Sequence, residues 1–188
     1  METTTAPDRP LLADVEHLAA LLRVPDSHPG VQVALQLASD RFRGESRRSI
    51  TAVTNDEVVL DGDGSRVLLL PDAPIRQLHT VEVDGRDVTG EVEHSPANGL
   101  LRRATCWPDR LGAIKVVYDH GYAEVPGDVV AAVIGLARVI FITVPGLSSM
   151  TIGSQSTVFT SAAAGLSGGV TETWTAAVAN YRLRGDRP

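Results

Sequence analysis

The sequence contains very little cysteine and few aromatic residues. Cys106 is the only cysteine among 188 residues, which excludes an intramolecular disulfide framework. Phe, Trp and Tyr make up 4% of the chain, yet apolar residues together reach 43%, which is enough for a hydrophobic core. At this length the sequence predicts one domain, or one domain with appendages.

An excess of basic charge is also absent. The chain carries 17 Lys and Arg residues against 23 Asp and Glu residues, a net charge of −6. This balance argues against a protein whose main role is to bind nucleic acid through a basic patch. The N-terminal METTTAPDRP has no basic run followed by an apolar core, so no secretory signal is expected.

The longest apolar stretch, Val129–Val144, is too short to span a membrane. As a helix it would extend about 24 Å, against a hydrocarbon core of about 30 Å. Arg138 would lie inside that core at a cost of about 2.5–3.5 kcal/mol. We therefore predict a soluble protein in which this helix, apolar on all sides, is buried by its own core or also by another chain.

Apolar periodicity predicts a helical beginning and end of the chain. After a mobile segment over 1–10, Leu11, Leu18 and Leu22 indicate a helix over 11–24, and the next helix covers 29–44. The apolar stretch predicts a third helix over 127–144, which completes a core domain over 11–144. Residues 145–188 are predicted to form a C-terminal arm with a helix over 170–184.

Between these helices, residues 50–119 read as short strands separated by turns. Asp84-Gly85 and Asn98-Gly99 supply the positive φ angles that tight hairpins require. The region therefore predicts a small antiparallel sheet of hairpins, within an α+β chain. The expected strands are Ile50–Thr54, Glu57–Leu60, Arg66–Leu70, Ile75–Val83, Glu91–His94, Leu100–Arg103 and Ala113–Asp119.

Candidate catalytic patterns lack their partners. Ser167 lies in a GxSxG pattern, but no histidine follows it and no apolar strand precedes it, so the segment favours a linker. Cys106 would need a neighbouring histidine to act as a nucleophile. His120, beside Gly121, is interpreted as a turn residue rather than a general base.

Metal and cofactor sites are not predicted. The run Asp61–Gly64 hints at a calcium loop, but an arginine and an aspartate occupy the positions where glycine and glutamate are required. The five histidines never fall at helical ligand spacing, although strands would be able to bring His79 and His94 together. No catalytic residue, metal or cofactor is therefore expected.

Seven stretches in a fixed order give the sequence a family resemblance. They are LLADVEHLAALLRVP, ALQLASDRFRGES, LDGDGSRVLLLPDAPI, VEVDGRDV, NGLLRR…CWPD, IKVVYDHGYAEVPGDVVAAVIGLA and YRLR, spanning about Leu11 to Arg184. This set resembles the head-to-tail connector (adaptor) proteins of long-tailed bacteriophages, especially those of actinobacterial phages. The low-charge segment Gly153–Gly169 does not align to a defined element of this family.

The resemblance implies a fold and a role in assembly. It implies a connector-type helical bundle with an inserted small antiparallel β-hairpin region, and a ring, typically twelve-fold, beneath the portal. Such a ring extends the DNA channel, docks the stopper and tail, and lets double-stranded DNA pass without specific binding. It would lie in the virion neck, be assembled in the host cytoplasm and contact no membrane. The C-terminal segment, here Leu147–Pro188, is expected to contact the portal.

Two groups of residues are expected to serve this role. Part of the acidic Thr54–His94 region, with ten acids against three arginines, is expected to border the channel and repel DNA phosphates. Its acids are Asp56, Glu57, Asp61, Asp63, Asp84 and Asp87. Contacts with other subunits or the portal are expected from Ile152, Val158, Phe159, Val170, Trp174, Val178, Tyr181 and Arg138.

Two other functions remain open from the sequence. A stopper, or head-closure protein, occupies the same neck, but it is usually richer in strands and lacks the opening pair of helices. A small hydrolase using Ser167 or Cys106 is the alternative from a different class of protein.

Overall fold

The structure is a computed structural model that describes residues 9–143, the backbone of 151–152 and 155–156, and residues 172–182. The helices of this part of the chain are α1 (Val15–Leu22), α2 (Pro29–Ser46), α3 (Gly127–Thr143) and α4 (Glu172–Tyr181). Its strands are β1 (Val53–Leu60), β2 (Val67–Leu69), β3 (Ile75–Val83), β4 (Arg86–Asp87), β5 (Val92–Ser95), β6 (Leu100–Arg103), β7 (Ile114–His120), β8 (Thr151–Ile152) and β9 (Gln155–Ser156). They form two compact units, one from the described residues of Met1–Ser46 and Val125–Tyr181, the other built on Arg47–Glu124.

The first unit is a small helical assembly in which α2 contacts α1, α3 and α4. Helix α1 begins after Asp14, whose carboxylate accepts a hydrogen bond of 3.1 Å from the backbone N–H of Glu16. Helix α2 begins at Pro29, where a missing N–H leaves no hydrogen bond unmade. The buried side chains of Phe42, Val133 and Trp174 bring α2, α3 and α4 into one core.

Helices α2 and α3 run antiparallel. At one end, the ring of His28, just before α2, lies 5.4 Å from the ring of Phe141 near the end of α3. At the other end, Phe42 in the last turns of α2 and Asp128 in the first turn of α3 both contact Tyr181. The start of α2 therefore meets the end of α3, and the reverse.

The second unit contains two antiparallel sheets, with strand orders β1-β7-β3-β4 and β2-β6-β5. Strand β7 is central in the first sheet, and its buried face alternates Ile114, Val116 and Tyr118. Leu68 of β2 and Leu101 of β6 join the same buried cluster. Both sheets of this unit therefore contribute to one core.

The expected helical bundle with a small inserted β-hairpin region is wrong, although the mixture of helices and strands holds. The β region is not a small hairpin region, because it has its own core and β1 and β3 both pair with the distant β7. Asp61–Gly64 does not close a hairpin either, since β1 pairs with β7 and β2 pairs with β6. The hairpins at Asp84-Gly85 and Asn98-Gly99 are present, since β3 pairs with β4 and β5 pairs with β6, but turn signals do not identify the partners of strands that lie far apart in the sequence.

A close backbone approach fixes the end of β7. The N–H of Tyr122 donates to the carbonyl of Ile50 at 2.8 Å, and Thr51 forms an isolated parallel bridge with Tyr122. Gly121 between them has φ +82°, and a Cβ there would overlap the carbonyl of Thr51. Glycine is required at this position for both its φ angle and its small size.

Candidate interaction surfaces

Trp174 attaches helix α4 to its own unit. Its buried indole meets Phe42 edge-on, with ring centroids 5.3 Å apart, and its Nε1 donates to Glu45 Oε2 at 2.8 Å. The guanidinium of Arg41 lies over the indole, 5.7 Å from the ring centre. Val178, one turn further along, is also buried. Aromatic burial with a hydrogen bond to a charged acceptor holds α4 in place.

Tyr181 extends this contact to the first turn of α3. Its hydroxyl donates to Asp128 Oδ1 at 2.8 Å, and its ring meets Phe42 edge-on at 6.4 Å. Asp128 is favourably placed, because the N-terminal end of a helix attracts negative charge. The last helix is therefore tied to both α2 and α3.

Besides Arg138, the expected partner-facing residues thus fall into three groups. Trp174, Val178 and Tyr181 contact their own unit, and their contact with another chain stays a prediction. The backbone of Ile152 lies in β8, which pairs with β9. The remaining expected residues lie outside the described part of the chain: Val158, Phe159 and Val170.

Between Asp128 in its first turn and Arg138, the exposed residues of α3 are the small Ala131 and Gly135. Gly127, Ala131, Gly135 and Arg138 are exposed at the spacing of one helix face, and Ile134 beside them is half-buried. A Cβ added to Gly135 would meet no atom within 4 Å. Arg138, expected to face water or an acid of another chain, is exposed and forms no ion pair with the described residues.

Helix α2 also exposes apolar side chains. Val33 and Leu37, one turn apart, are 45% and 48% exposed. Asp40 follows on the same face, where it accepts a hydrogen bond of 3.1 Å from Gln36 and lies 3.6 Å from Arg43. A solvated helix normally carries polar residues at such positions, so the pair Val33 and Leu37 forms a candidate contact surface.

The six acids of the expected channel surface all lie in the second unit, and all except the half-buried Asp56 are exposed. Several of them also have local partners. Glu57 pairs with Lys115 at 2.9 Å, and Asp84 pairs with Arg110. The full set is Asp56, Glu57, Asp61, Asp63, Asp84 and Asp87. Whether these acids border a channel stays a prediction.

Two of these acids cap tight turns. The hydroxyl and N–H of Ser65 bind the carboxylate of Asp63 and lower its pKa. The hydroxyl of Thr89 at 2.6 Å and its N–H at 2.8 Å do the same for the pKa of Asp87. Both carboxylates therefore keep their charge under mildly acidic conditions.

Asp119 joins three strands of the four-stranded sheet. On β7, its Oδ1 accepts the N–H of Asn55 of β1 at 2.8 Å and lies 2.8 Å from Nε2 of His79 of β3. Asn55 has φ +52° and lies in a β-bulge between Val53 and Asp56. The N–H of Asn55, and secondly His79, lower the pKa of Asp119.

We expect Asp119→Asn to reduce the acid sensitivity of the second unit. A carboxylate with a lowered folded-state pKa stabilises the fold above its unfolded pKa of about 3.9, and this stabilisation is lost as pH falls through the folded value. The variant should therefore be less stable than the wild type at pH 7 and lose less stability between pH 4 and pH 2. Urea unfolding at several pH values across this range gives the free energy of unfolding of wild type and variant, and the slope of that free energy against pH is compared between them. Glu93→Gln on β5, at an exposed acid, is the control. Equal slopes for wild type and Asp119→Asn would contradict this role.

A buried polar network that sequence reasoning missed surrounds His120. Its Nε2 lies 3.1 Å from Asp56 Oδ2, and its Nδ1 lies 3.4 Å from the hydroxyl of Ser49. Ser49 also donates from its hydroxyl to Asp72 at 3.2 Å, and the N–H of Asp72 donates to the Tyr118 hydroxyl. Burial raises the pKa of Tyr118 well above its usual range. His120 is thus a buried strand residue rather than a turn residue.

This network contains the residue types of a nucleophilic triad, but it lacks an activated serine hydroxyl and an oxyanion hole. The hydroxyl of Ser49 is already bonded to Asp72. The nearby N–H groups of Gly121 and Tyr122 donate to backbone carbonyls, so they do not form an oxyanion site. The arrangement therefore favours a structural role at the end of β7. Of the two nucleophiles in the hydrolase alternative, Cys106 is exposed and Ser167 lies outside the described residues.

Two further features are absent from the described ranges 9–143 and 172–182. Within them, no three His, Cys, Asp or Glu side chains lie together as a metal site would require. None of the helices α1 to α4 combines the length and apolar character needed to cross a bilayer.

The described chain is a mixed α+β fold with a helical unit and a two-sheet unit, and this fold occurs in solved neck structures. One is a chain from the neck of an empty GTA particle computed with C6 symmetry, with TM-score 0.58, 18% identity and coverage of 100% of both chains. Another is from the neck of a native GTA particle computed with C12 symmetry, with TM-score 0.55, 18% identity and coverage of 100% of this chain and 98% of that one. No family model and no curated protein matches the sequence.

Proposed function

We propose that this chain is a structural, non-enzymatic protein of the neck of a phage-like particle, where it forms a ring. The observation that carries the proposal is the fold, shared over the whole chain with neck proteins of gene transfer agent particles. Those necks were computed with six-fold and twelve-fold symmetry, which suits a ring of identical subunits. The proposed location is the virion neck, after assembly in the host cytoplasm.

Within the neck we favour the adaptor position, in a twelve-fold ring between portal and stopper, of the actinobacterial-phage type that the sequence resembles. The opening helices α1 and α2 support this choice, because stoppers usually lack them. The proposed contact with the portal involves the C-terminal arm, residues 145–188, which lies largely outside the described residues.

The stopper is the second candidate, and the strand content favours it. The second unit contains a four-stranded and a three-stranded sheet, more than an adaptor with a small inserted hairpin region requires. The opening helices and the strand content therefore point to different positions in the neck. Binding partners distinguish the two positions.

The exposed acids of the second unit fit a channel wall that DNA passes without being held. Asp61, Asp63 and Asp87 are exposed, and Ser65 and Thr89 lower the pKa of Asp63 and Asp87, so the carboxylates of Asp63 and Asp87 are charged at neutral pH. Phosphate affinity comes from neutralisation by Lys and Arg, so an acidic wall binds DNA weakly. A neck reconstruction with these acids on the outer rim would contradict this part of the proposal.

The function is tested by mixing the purified full-length chain with the portal ring of its particle and measuring the mass of the complex. An adaptor is expected to bind the portal directly, in twelve copies if the ring is twelve-fold. A chain that binds only a portal already carrying another neck protein would be the stopper. Absence of binding in both mixtures would contradict a neck function, and hydrolytic activity lost in Cys106→Ala or Ser167→Ala would favour the hydrolase.

A further inference from the structure

We infer that α2 of one subunit packs against α3 of the next subunit in the ring, with Leu37 on Gly135 and Asp40 paired with Arg138. This inference rests on the proposed ring and names the surfaces that would close it. A ring of identical subunits needs two different, mutually complementary patches on each subunit. The helical unit exposes two such patches, one on each helix.

The two patches complement each other in shape. On α3, Ala131 and Gly135 leave a smooth strip with open space above it. On α2, Val33 and Leu37 project apolar side chains into solvent. Large side chains on one helix and small residues on the other allow helices to pack at short interaxial distance. Val33 and Leu37 are each about half exposed, so covering them in a contact between subunits removes further apolar surface from water and stabilises that contact.

The direction of packing follows from the direction of the helices within one subunit. Helices α2 and α3 are antiparallel there, since His28 meets Phe141 at one end and Tyr181 meets Asp128 at the other. Neighbours are rotated by 30° in a twelve-fold ring and by 60° in a six-fold ring. That rotation changes the angle between α2 and the next subunit's α3 by at most the same amount, so their contact is also antiparallel.

Antiparallel packing leaves the two charges within reach of each other. Helical side chains lean toward the N-terminus of their own helix, so Asp40 leans toward Leu37 and Arg138 leans toward Gly135. With Leu37 opposite Gly135, the two charged residues are about 9 Å apart along the axis and lean toward each other. The extended arginine and the carboxylate together span this distance. Arg138 has no ionic partner among the described residues, and the Asp40 side chain is 48% exposed.

This charge match is why we assign the surface of α3 to a second copy. One other possible cover is the segment of the same chain between α3 and α4. It contains no charged residue over 147–169, so it offers no acid to Arg138. The acid that matches Arg138 in position and sign lies on α2, whose buried side already contacts α3 of its own subunit.

The test uses Gly135→Leu and a charge exchange, read out as subunits bound per portal ring and as the melting temperature of the free full-length chain. Gly135→Leu is expected to leave the free chain as stable or more stable, because the site is open and glycine disfavours helices. Ring assembly should fall by about tenfold or more, since a 1.4 kcal/mol loss at each contact is already tenfold. Gly90→Leu, at another open glycine in the second unit, is the matched control and should assemble normally.

Asp40→Arg and Arg138→Asp should each reduce assembly, and the double variant should restore it to within about threefold of wild type. Asp40→Arg also removes a neighbour of Arg43, so its melting temperature is measured alongside. Three results would overturn the inference while the wild type still forms rings: normal assembly of Gly135→Leu, a lower melting temperature of its free chain, or no rescue by the double variant. A wild type that forms no ring on any portal complex would overturn the proposed function as well.

Discussion

Replacing Gly121 with alanine is expected to lower the free energy of unfolding by roughly 3 kcal/mol or more. At φ +82° a residue with a Cβ is strained by about 1–2 kcal/mol, and the new Cβ would overlap the carbonyl of Thr51. Relief would require moving the backbone between β7 and the segment before β1, where Tyr122 donates to Ile50. Urea unfolding followed by circular dichroism measures the loss.

Two other glycines separate the two causes. Gly85 has φ +78° with no atom near its added Cβ, so Gly85→Ala should report the strain alone, about 1–2 kcal/mol. Gly62 has no positive φ, but its Cβ would overlap the carbonyl of Pro108, so Gly62→Ala should report overlap alone. If Gly121→Ala were no more destabilising than Gly85→Ala, overlap with the carbonyl of Thr51 would not contribute to the loss of stability.

Trp174→Ala is expected to lower the free energy of unfolding of the helical unit by about 3–5 kcal/mol. The change removes a buried indole that contacts Phe42 and leaves Glu45 without its indole donor. Since Trp174 is the largest buried side chain of α4, this helix should detach and helical content should fall. Thermal unfolding and far-ultraviolet circular dichroism measure the two effects.

Trp174→Phe is the matched variant, because it keeps an aromatic ring against Phe42 and removes only the indole N–H and part of the volume. Its loss should be smaller than that of alanine, with about 1.5–3 kcal/mol from the hydrogen bond to a charged acceptor. An unchanged stability for Trp174→Ala would mean that α4 is not held by this residue. The prediction that Trp174 faces a partner would then be favoured.

The helices were accessible from the sequence because their signals are local. The apolar period and the proline predicted a helix over 29–44, and α2 covers Pro29–Ser46. The predicted helix over 127–144 corresponds to α3, Gly127–Thr143. Its uneven surface, with a buried side and a smooth exposed side, follows from packing and was not visible in a run that is apolar throughout.

The sheets and the polar network depend on contacts between distant residues. The hairpins at Asp84-Gly85 and Asn98-Gly99 were predicted correctly, since β3 pairs with β4 and β5 with β6, but local turn signals did not predict that β7 pairs with β1 and β3 across dozens of residues. Missing that long-range pairing led to the wrong fold class. His120 meets Asp56 and Ser49 only because of that pairing. Arg138 was identifiable as the single charge of the apolar run Val129–Val144, but its proposed partner Asp40 could be identified only from the directions of the helices.

The β-bulge of β1 limits unwanted growth of the four-stranded sheet. β1 is an edge strand, and an uninterrupted edge offers a row of backbone donors and acceptors to any other strand. The bulge between Val53 and Asp56, with Asn55 at φ +52°, breaks that row, and the charges of Asp56 and Glu57 adjoin the break. The break thereby protects copies of the chain from joining edge to edge into fibres. In the proposed ring, contacts between copies are then made by side chains, which allows the ring to close after a fixed number of subunits.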